Sequence, residues 1–314
     1  MDGVVAVAVA FSVALVATPL VMRAAAHLGV VDRPGPLKTH RTPVAYLGGV
    51  AVFLGLVAGP LIAGRPLVLV PLALALALGA ADDTRPLPAR ARLAAELALA
   101  AVAAACVPGP ALARIATAGL LVVLLNAVNL LDGQDGLAAG FGVFAALGFA
   151  TLGGDSTPVA LALAGALGGF LIFNRPPARI YLGDGGAYLL GSTLALLPVL
   201  HGSGTDALSV WFATPLLVAL AFTDTAIAIL RRLRAHVPLF EGDRSHVYDQ
   251  LVDRGWSVPA STLWCVGAQV PFAAAGAIAA HLDPGWALTV TGAGSLVVAT
   301  VAMGSGLLST EGAL

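Results

Sequence analysis

Leu120-Leu-Val-Val-Leu-Leu-Asn126-Ala-Val-Asn129-Leu-Leu-Asp132-Gly133-Gln134-Asp135-Gly136 takes an apolar run directly into two amides and two carboxylates. A run this apolar reads as helix inside hydrocarbon, where an acidic side chain is costly unless it is paired, bound to a cation or facing water. Steps of three put Asn126, Asn129 and Asp132 on one helical stripe, and Gly133 lets the backbone turn so that Asp135 faces the same pocket. Such a set at a helix end points to nucleotide and metal binding rather than to core packing. The pattern recurs, because Asp82-Asp83 and Asp184 also sit at the ends of long apolar runs. Five carboxylates so placed suggest a metal-dependent active site at one membrane surface.

The rest of the chain agrees with a bilayer as solvent. Of 314 residues, 59% are hydrophobic and only 11% charged, and the mean hydropathy is +0.93. That is too little polar surface to cover a soluble globule. The apolar runs divide the chain into about eleven segments suited to spanning, near 3–22, 46–64, 67–81, 93–107, 113–130, 136–153, 157–174, 186–201, 209–230, 259–281 and 286–308. The expected fold is an all-α polytopic bundle, one integral-membrane domain over residues 1–314. Alternating the spans places every Lys and Arg except Arg65 and Arg114 on one face, which the retention of positive charge makes cytoplasmic. The aspartate clusters fall on that face too, with the N-terminus expected outside. Met1-Asp2-Gly3 carries no positive charge and Arg23 follows the first run, so that run is expected to be a retained helix rather than a secretory signal. Cys106 and Cys265 lie inside spans and read as small packing residues. The net charge of −1 says little about partners, because the charges are sorted by side and not by excess; no nucleic-acid partner is expected.

Polar sequence gathers in five inward loops, 23–45, 82–92, 131–135, 175–185 and 231–258. The first sets Lys38, His40 and Arg41 among Pro34, Pro36 and Pro43, a stiff cationic strap suited to phosphates, although basic loops beside a membrane also serve topology alone. In the second, adjacent Asp82 and Asp83 repel, so at least one should hold its proton more tightly unless cations compensate. That suits a general base or a magnesium ligand, with Arg90 and Arg92 near enough to hold anionic oxygens. An Asp-Asp helix stop beside a salt-bridged loop uses the same letters. In the fourth loop, the glycines around Asp184 are expected to admit a diphosphate, and a hard magnesium ion takes one or two carboxylates plus substrate phosphates. Tyr181 reads either as a base-stacking ring or as an interfacial anchor. In the fifth, Asp243 and His246 at i and i+3 precede a short amphipathic helix that buries Leu251 and Val252, and His246 reads either as a donor to a phosphate or as an inert surface histidine. Glu96 and Asp224 are the acids placed within spans. Glu96 lies one turn from Arg92 and reads as a helix-face pair.

In order, His40-x-x-Pro43 with Gly48-Gly49, Asp82-Asp83 with Arg90-x-Arg92-Leu93, Asn126-x-x-Asn129-x-x-Asp132-Gly-x-Asp135-Gly136, Pro177-Ala178 with Tyr181-Leu-Gly-Asp184, and Asp243-Arg-x-His246 resemble the motifs of the polyprenyl-phosphate sugar-1-phosphate transferases. This superfamily, glycosyltransferase family 4, includes the initiating N-acetylglucosamine-1-phosphate transferases and the muramoyl-pentapeptide translocase, and the likeness runs from about residue 32 to 251. The resemblance implies that a UDP-linked amino sugar gives its sugar-1-phosphate, GlcNAc-1-phosphate first among the choices, to polyprenyl phosphate (undecaprenyl or decaprenyl). UMP is released at the cytoplasmic face of the plasma membrane, at the start of a cell-envelope glycan.

The same resemblance implies Mg²⁺, with Mn²⁺ as the alternative ion, held by Asp184 and Asp132 at the diphosphate. Asn126, Asn129, Asp132 and Asp135 then line the nucleotide site, Asp82 or Asp83 deprotonates or orients the lipid phosphate, and Tyr181 lies against uracil. Lys38, His40, Arg90, Arg92 and Arg244 bind substrate, and Asp135 and His246 join Asp82 and Asp83 as catalytic groups. Where initiating transferases often carry His-x-His-His, this chain has His246-Val-Tyr248-Asp249 in a loop expected on the sugar side. A homodimer is compatible with the reading. The runner-up is a phospho-muramoyl-pentapeptide transferase. From another class comes a non-catalytic polyprenyl-phosphate or anion transporter, against which the complete aspartate set weighs.

Overall fold

A computed structural model describes residues 2–32, 43–202, 205–237 and 246–308. The chain opens with α1 (Asp2–Leu28), a two-stranded hairpin of β1 (Val31–Asp32) and β2 (Val44–Ala45), α2 (Gly48–Leu56) and α3 (Ala58–Ile62). Next come α4 (Leu69–Thr84), α5 (Ala89–Cys106), α6 (Ala111–Leu131), α7 (Leu137–Ala150), α8 (Ser156–Asn174) and α9 (Gly183–His201). The chain continues through α10 (Thr205–Leu217), α11 (Ala219–Ala235), the short α12 (Val247–Asp253), α13 (Val258–Ala279) and α14 (Pro284–Gly304).

Every apolar segment read from the sequence becomes helix, and the protein is an all-α, multi-pass membrane protein. Among the described residues, six helices are long and apolar enough to cross a bilayer, or up to seven if α10 and α11 form one bent span. That measure does not reach about eleven, for identifiable reasons. α5 carries Arg90, Arg92 and Glu96, while α7 and the α2–α3 pair are short. α9 is enclosed by protein and need not be apolar enough for lipid.

α9 is the axis of the bundle. Its residues from Gly185 to Leu200 are buried throughout, and it packs against α2, α4, α6, α7, α8 and α10. Helices in lipid associate through close packing of small residues, and the fit here leaves no room for side chains. A Cβ at Gly79 of α4 would strike the Asp184 carbonyl, and one at Gly191 would come within 2.5 Å of the Leu124 carbonyl on α6. These contacts bring the acidic ends of α4 and α6 to the start of α9.

The segment read as one span near 209–230 is instead two helices meeting at 62°. Breaking a helix exposes backbone groups that hydrocarbon cannot satisfy. Gln269, buried on α13, supplies the missing partners. Its Oε1 accepts the Leu220 N–H at 2.9 Å and its Nε2 donates to the Leu217 carbonyl at 2.8 Å.

The small hairpin is the one departure from all-helix among the described residues. β1 and β2 pair antiparallel, with Val31 opposite Ala45 and Asp32 opposite Val44. Ala45 also bridges in parallel to Ile180. The Tyr181 N–H donates to the Ala45 carbonyl at 2.8 Å and the Gly48 N–H to the Tyr181 carbonyl at 3.0 Å. The first inward loop is thereby fastened to the fourth.

Candidate active site

The start of α9 collects carboxylates from three parts of the chain. The N–H groups of a first helical turn lack partners within the helix and carry partial positive charge. Gly183 donates to Asp132. Asp184 donates to Oδ1 of Asp83 at 3.0 Å, and Gly185 to Oδ2 of the same residue at 3.3 Å. The side chain of Asn129 donates to Asp184. The Asn129–Asp132 half of the opening stripe therefore converges with Asp83 and Asp184.

The glycines flanking Asp184 do different work from the expected admission of a diphosphate. Gly183 adopts φ +75° with its α-carbon against the Asp83 carboxylate, Gly185 packs on α4, and Gly186 meets Gly49 of α2. They allow helices and capping carboxylates to approach, and protein fills the space beside them.

Asp82 and Asp83, adjacent in sequence, part company. Asp82 is buried and turns to α5, where Oδ1 accepts the Leu87 N–H at 2.6 Å and Oδ2 lies 3.6 Å from Arg92. Arg92 continues to Glu96, 4.0 Å away. Glu96, only 1% exposed, also accepts from the Asn126 amide at 2.7 Å and from the Tyr188 hydroxyl at 3.4 Å. It keeps the helix-face pair with Arg92 and is also the centre of a buried polar network. Asn126 donates in addition to the Val122 carbonyl at 2.9 Å. Both hydrogens of its amide are engaged within the protein, which distinguishes it from Asn129 one turn further on. Arg90 is exposed at the start of α5.

Asp135 faces the fourth loop, where Oδ2 accepts the Ala178 N–H at 2.8 Å. Its turn is locked to α13 by Gln134, whose amide donates to Thr262 at 2.7 Å, and by Thr262, which donates to the Asp135 carbonyl at 3.1 Å. Tyr181 is half-buried with its ring 5.7 Å from that of Tyr46, at 57°. Tyr46 had no assigned role in the sequence reading. Its position depends on the hairpin's docking on residues 135 positions away, for which no local pattern exists. Burial, followed by Asp32, Asp83, Asp184 and Asp132, pushes the Tyr46 phenol up to about 12, so it remains a hydrogen-bond donor.

His246 is not the surface histidine expected. It is buried, with Nδ1 2.6 Å from Oδ2 of Asp224, an acid the sequence reading placed inside a span without a role. The signal was that charge within an apolar run. Its partner, 22 residues later, was not visible. Leu251 is buried and Val252 half-buried in the short α12, as the amphipathic reading required. Lys38, His40 and Arg244 lie outside the described residues, as does Asp243.

Electrostatically the cluster asks for a cation. Burial, then Asp83 and Asp82, push Asp184 up to about 7, while Arg92 and the Asn129 hydrogen bond oppose that rise. Asp132 is held well above the usual carboxylate range by burial, then by Asp184 and Asp83. Among the described residues no three His, Cys, Asp or Glu side chains converge on a metal-sized point. The hard oxygen donors of Asp184 and Asp132 fit a cation that keeps open positions, as magnesium does when it shares its shell with phosphates and water.

Comparison with known proteins agrees with this geometry. The family described as Glycosyl transferase family 4 matches residues 66–202, the stretch from α4 through α9. The chain is 31% identical to the probable undecaprenyl-phosphate N-acetylglucosaminyl 1-phosphate transferase of Bacillus subtilis, over 83% of this chain and 80% of that one. It is 31% identical to the decaprenyl-phosphate N-acetylglucosaminephosphotransferase of Mycobacterium tuberculosis, over 77% and 73%. A shorter match, 46% over 86 residues, joins 26% of the chain to 27% of the phospho-N-acetylmuramoyl-pentapeptide-transferase of Moorella thermoacetica. With relatives matched over most of both chains and a carboxylate-ringed helix start at the resembling motifs, the chain belongs to glycosyl transferase family 4, the superfamily of polyprenyl-phosphate sugar-1-phosphate transferases.

Proposed function

We propose that this protein transfers GlcNAc-1-phosphate from UDP-GlcNAc to a polyprenyl phosphate, undecaprenyl or decaprenyl, and releases UMP at the cytoplasmic face of the plasma membrane. The observation that carries this reading is the meeting of Asp83, Asp132, Asp184 and Asn129 at the start of α9. The relatives matched over most of the chain, whose names specify N-acetylglucosamine phosphate and a polyprenyl phosphate, support the choice of substrates.

Phosphoryl transfer is largely positioning and charge neutralisation. A lipid phosphate oxygen attacks the sugar-bearing phosphorus, the bond from that phosphorus to the bridging oxygen breaks, and UMP leaves with the oxygen. Asp184, with Asp132, holds Mg²⁺, which when bound neutralises the diphosphate and the leaving charge. Asp83 sets the orientation of the α9 start. Asp82, held by Arg92, stands next to it as the acid facing α5, and Arg90 offers a cation at the edge where a lipid phosphate arrives. Tyr181 and Tyr46 form an aromatic corner suited to the uracil ring. An active site at the end of the helices lets the lipid enter from the bilayer and the donor from water.

The local match to a pentapeptide-transferase favours shared machinery with that second reading, but it covers only 26% of the chain. A transporter normally uses a broken span as its midplane site. Here Gln269 satisfies the break, which removes that support. The test is UMP release by the detergent-purified protein with undecaprenyl phosphate and, in parallel, UDP-GlcNAc, UDP-GalNAc and UDP-MurNAc-pentapeptide. The reading requires UDP-GlcNAc to be the preferred donor. Preference for the pentapeptide donor would select the second reading, and silence with all three would return the transporter.

A further inference from the structure

Asp224 lies on α11 within Ala219-Leu-Ala-Phe-Thr-Asp224-Thr-Ala-Ile-Ala-Ile-Leu230 and is 0% exposed. A carboxylate so placed is costly unless partners surround it. Oδ1 accepts the Val247 N–H at 2.8 Å, and Oδ2 lies 2.6 Å from Nδ1 of His246, itself 4% exposed. A carboxylate against Nδ1 holds a proton on that nitrogen. Nε2 is then the nitrogen through which His246 meets any other group.

The ring is tied to the active-site turn. His246 stacks on Tyr248 with centroids 5.5 Å apart and planes within 5°. The Tyr248 hydroxyl donates to the Leu130 carbonyl at 3.1 Å and sits so close to Gly133 that a Cβ there would collide with it. α11 also packs against α6, the helix that ends in Asp132. The buried acid, the imidazole and the turn from Asp132 to Asp135 form one connected unit.

We propose that Asp224 is a positioning residue for the transfer reaction: it fixes His246 as the Nδ1-protonated ring and presents Nε2 to a substrate phosphate. The proposal rests on the transferase reading above. The phosphate belongs either to the lipid or to the nucleotide sugar, which offer the same chemistry. A mere anchor for α12 would explain the Val247 contact but not a second carboxylate oxygen held on the imidazole.

The test compares wild type with Asp224→Asn, His246→Gln and the double variant. Turnover is measured by varying each substrate separately, and binding of UDP-GlcNAc and of undecaprenyl phosphate is measured alongside. Asp224→Asn keeps the shape and removes the charge. It should leave the melting temperature close to wild type and lower kcat/KM by about 10-fold to 100-fold, the usual effect of losing a partner that orients a functional imidazole. His246→Gln should lose as much, and the double variant no more than about 2-fold beyond either single one, since residues acting as a unit are not additive. The substrate whose KM or binding weakens names the phosphate involved. Wild-type kinetics in Asp224→Asn, or losses that multiply in the double variant, would overturn the proposal. If wild type releases no UMP with any UDP-amino sugar, the transferase reading fails by itself. Phosphate-ligand binding then decides: weakening in Asp224→Asn that matches His246→Gln sustains the proposal, and unchanged binding ends it.

Discussion

Asp184 holds its proton up to about 7 because burial and the carboxylates of Asp83 and Asp82 oppose its charge, against 3.8 for a free side chain. The folded protein therefore binds a proton that the unfolded chain has already lost, and stability falls as pH rises between those two values. The metal-free protein should melt at a higher temperature at pH 5.5 than at pH 8, and Mg²⁺ should raise the melting temperature more at pH 8 than at pH 5.5. Thermal scans in EDTA and in Mg²⁺ check both. A metal-free protein that is more stable at pH 8 would contradict this electrostatic picture. Much of this site was legible in the sequence, because helical spacing alone places Asn129 and Asp132 on a single stripe. Asn126 shares that spacing but turns to Glu96, since a buried acid on a neighbouring helix claims its amide. Tyr46 and the Asp224–His246 pair depend on contacts between distant segments, which periodicity does not record.

α9 shows how a helix that opens on a carboxylate among glycines, Gly183-Asp184-Gly185-Gly186, can sit at the centre of a membrane protein. Other helices enclose it, so its first turn can attract carboxylates where lipid would forbid them. The same rule governs the bend between α10 and α11. Gln269→Leu would leave the Leu220 N–H and the Leu217 carbonyl buried without partners, at a cost of about 1–3 kcal/mol per unsatisfied group. The expected result is a melting temperature several degrees lower, read by thermal scan. An undiminished melting temperature would mean that the two groups find other partners. Apolar runs revealed where the helices lie, including α10 and α11 together. They could not reveal the 62° bend, because hydropathy is blind to axis direction and the residue that permits the break lies on α13.

At the scale of the whole molecule, alternating the spans puts Asp82, Asp83, Asp132, Asp135 and Asp184 on the same face as every Lys and Arg except Arg65 and Arg114, and the proposed orientation puts that face in the cytoplasm. With Cys106 and Cys265 replaced by Ala, Arg85→Cys should react with a membrane-impermeant maleimide only from the cytoplasmic side, and Leu112→Cys only from outside. Both positions are exposed, so labelling of the two from a single side would contradict the orientation. Charge sorting makes this arrangement an expectation of the sequence that the labelling tests, whereas the number of spans was not legible there, because α5, α7 and α9 depart from the length and apolarity of a lipid-facing helix. The central claim is that the α9 start is a metal-assisted phosphotransfer site. Its most direct measurement is UMP release from UDP-GlcNAc and undecaprenyl phosphate by wild type and Asp184→Asn, each with Mg²⁺ and with EDTA. Release by wild type in Mg²⁺, abolished by EDTA and reduced at least about 100-fold in a folded Asp184→Asn protein, is the expected result. Release that survives both EDTA and the substitution would contradict it.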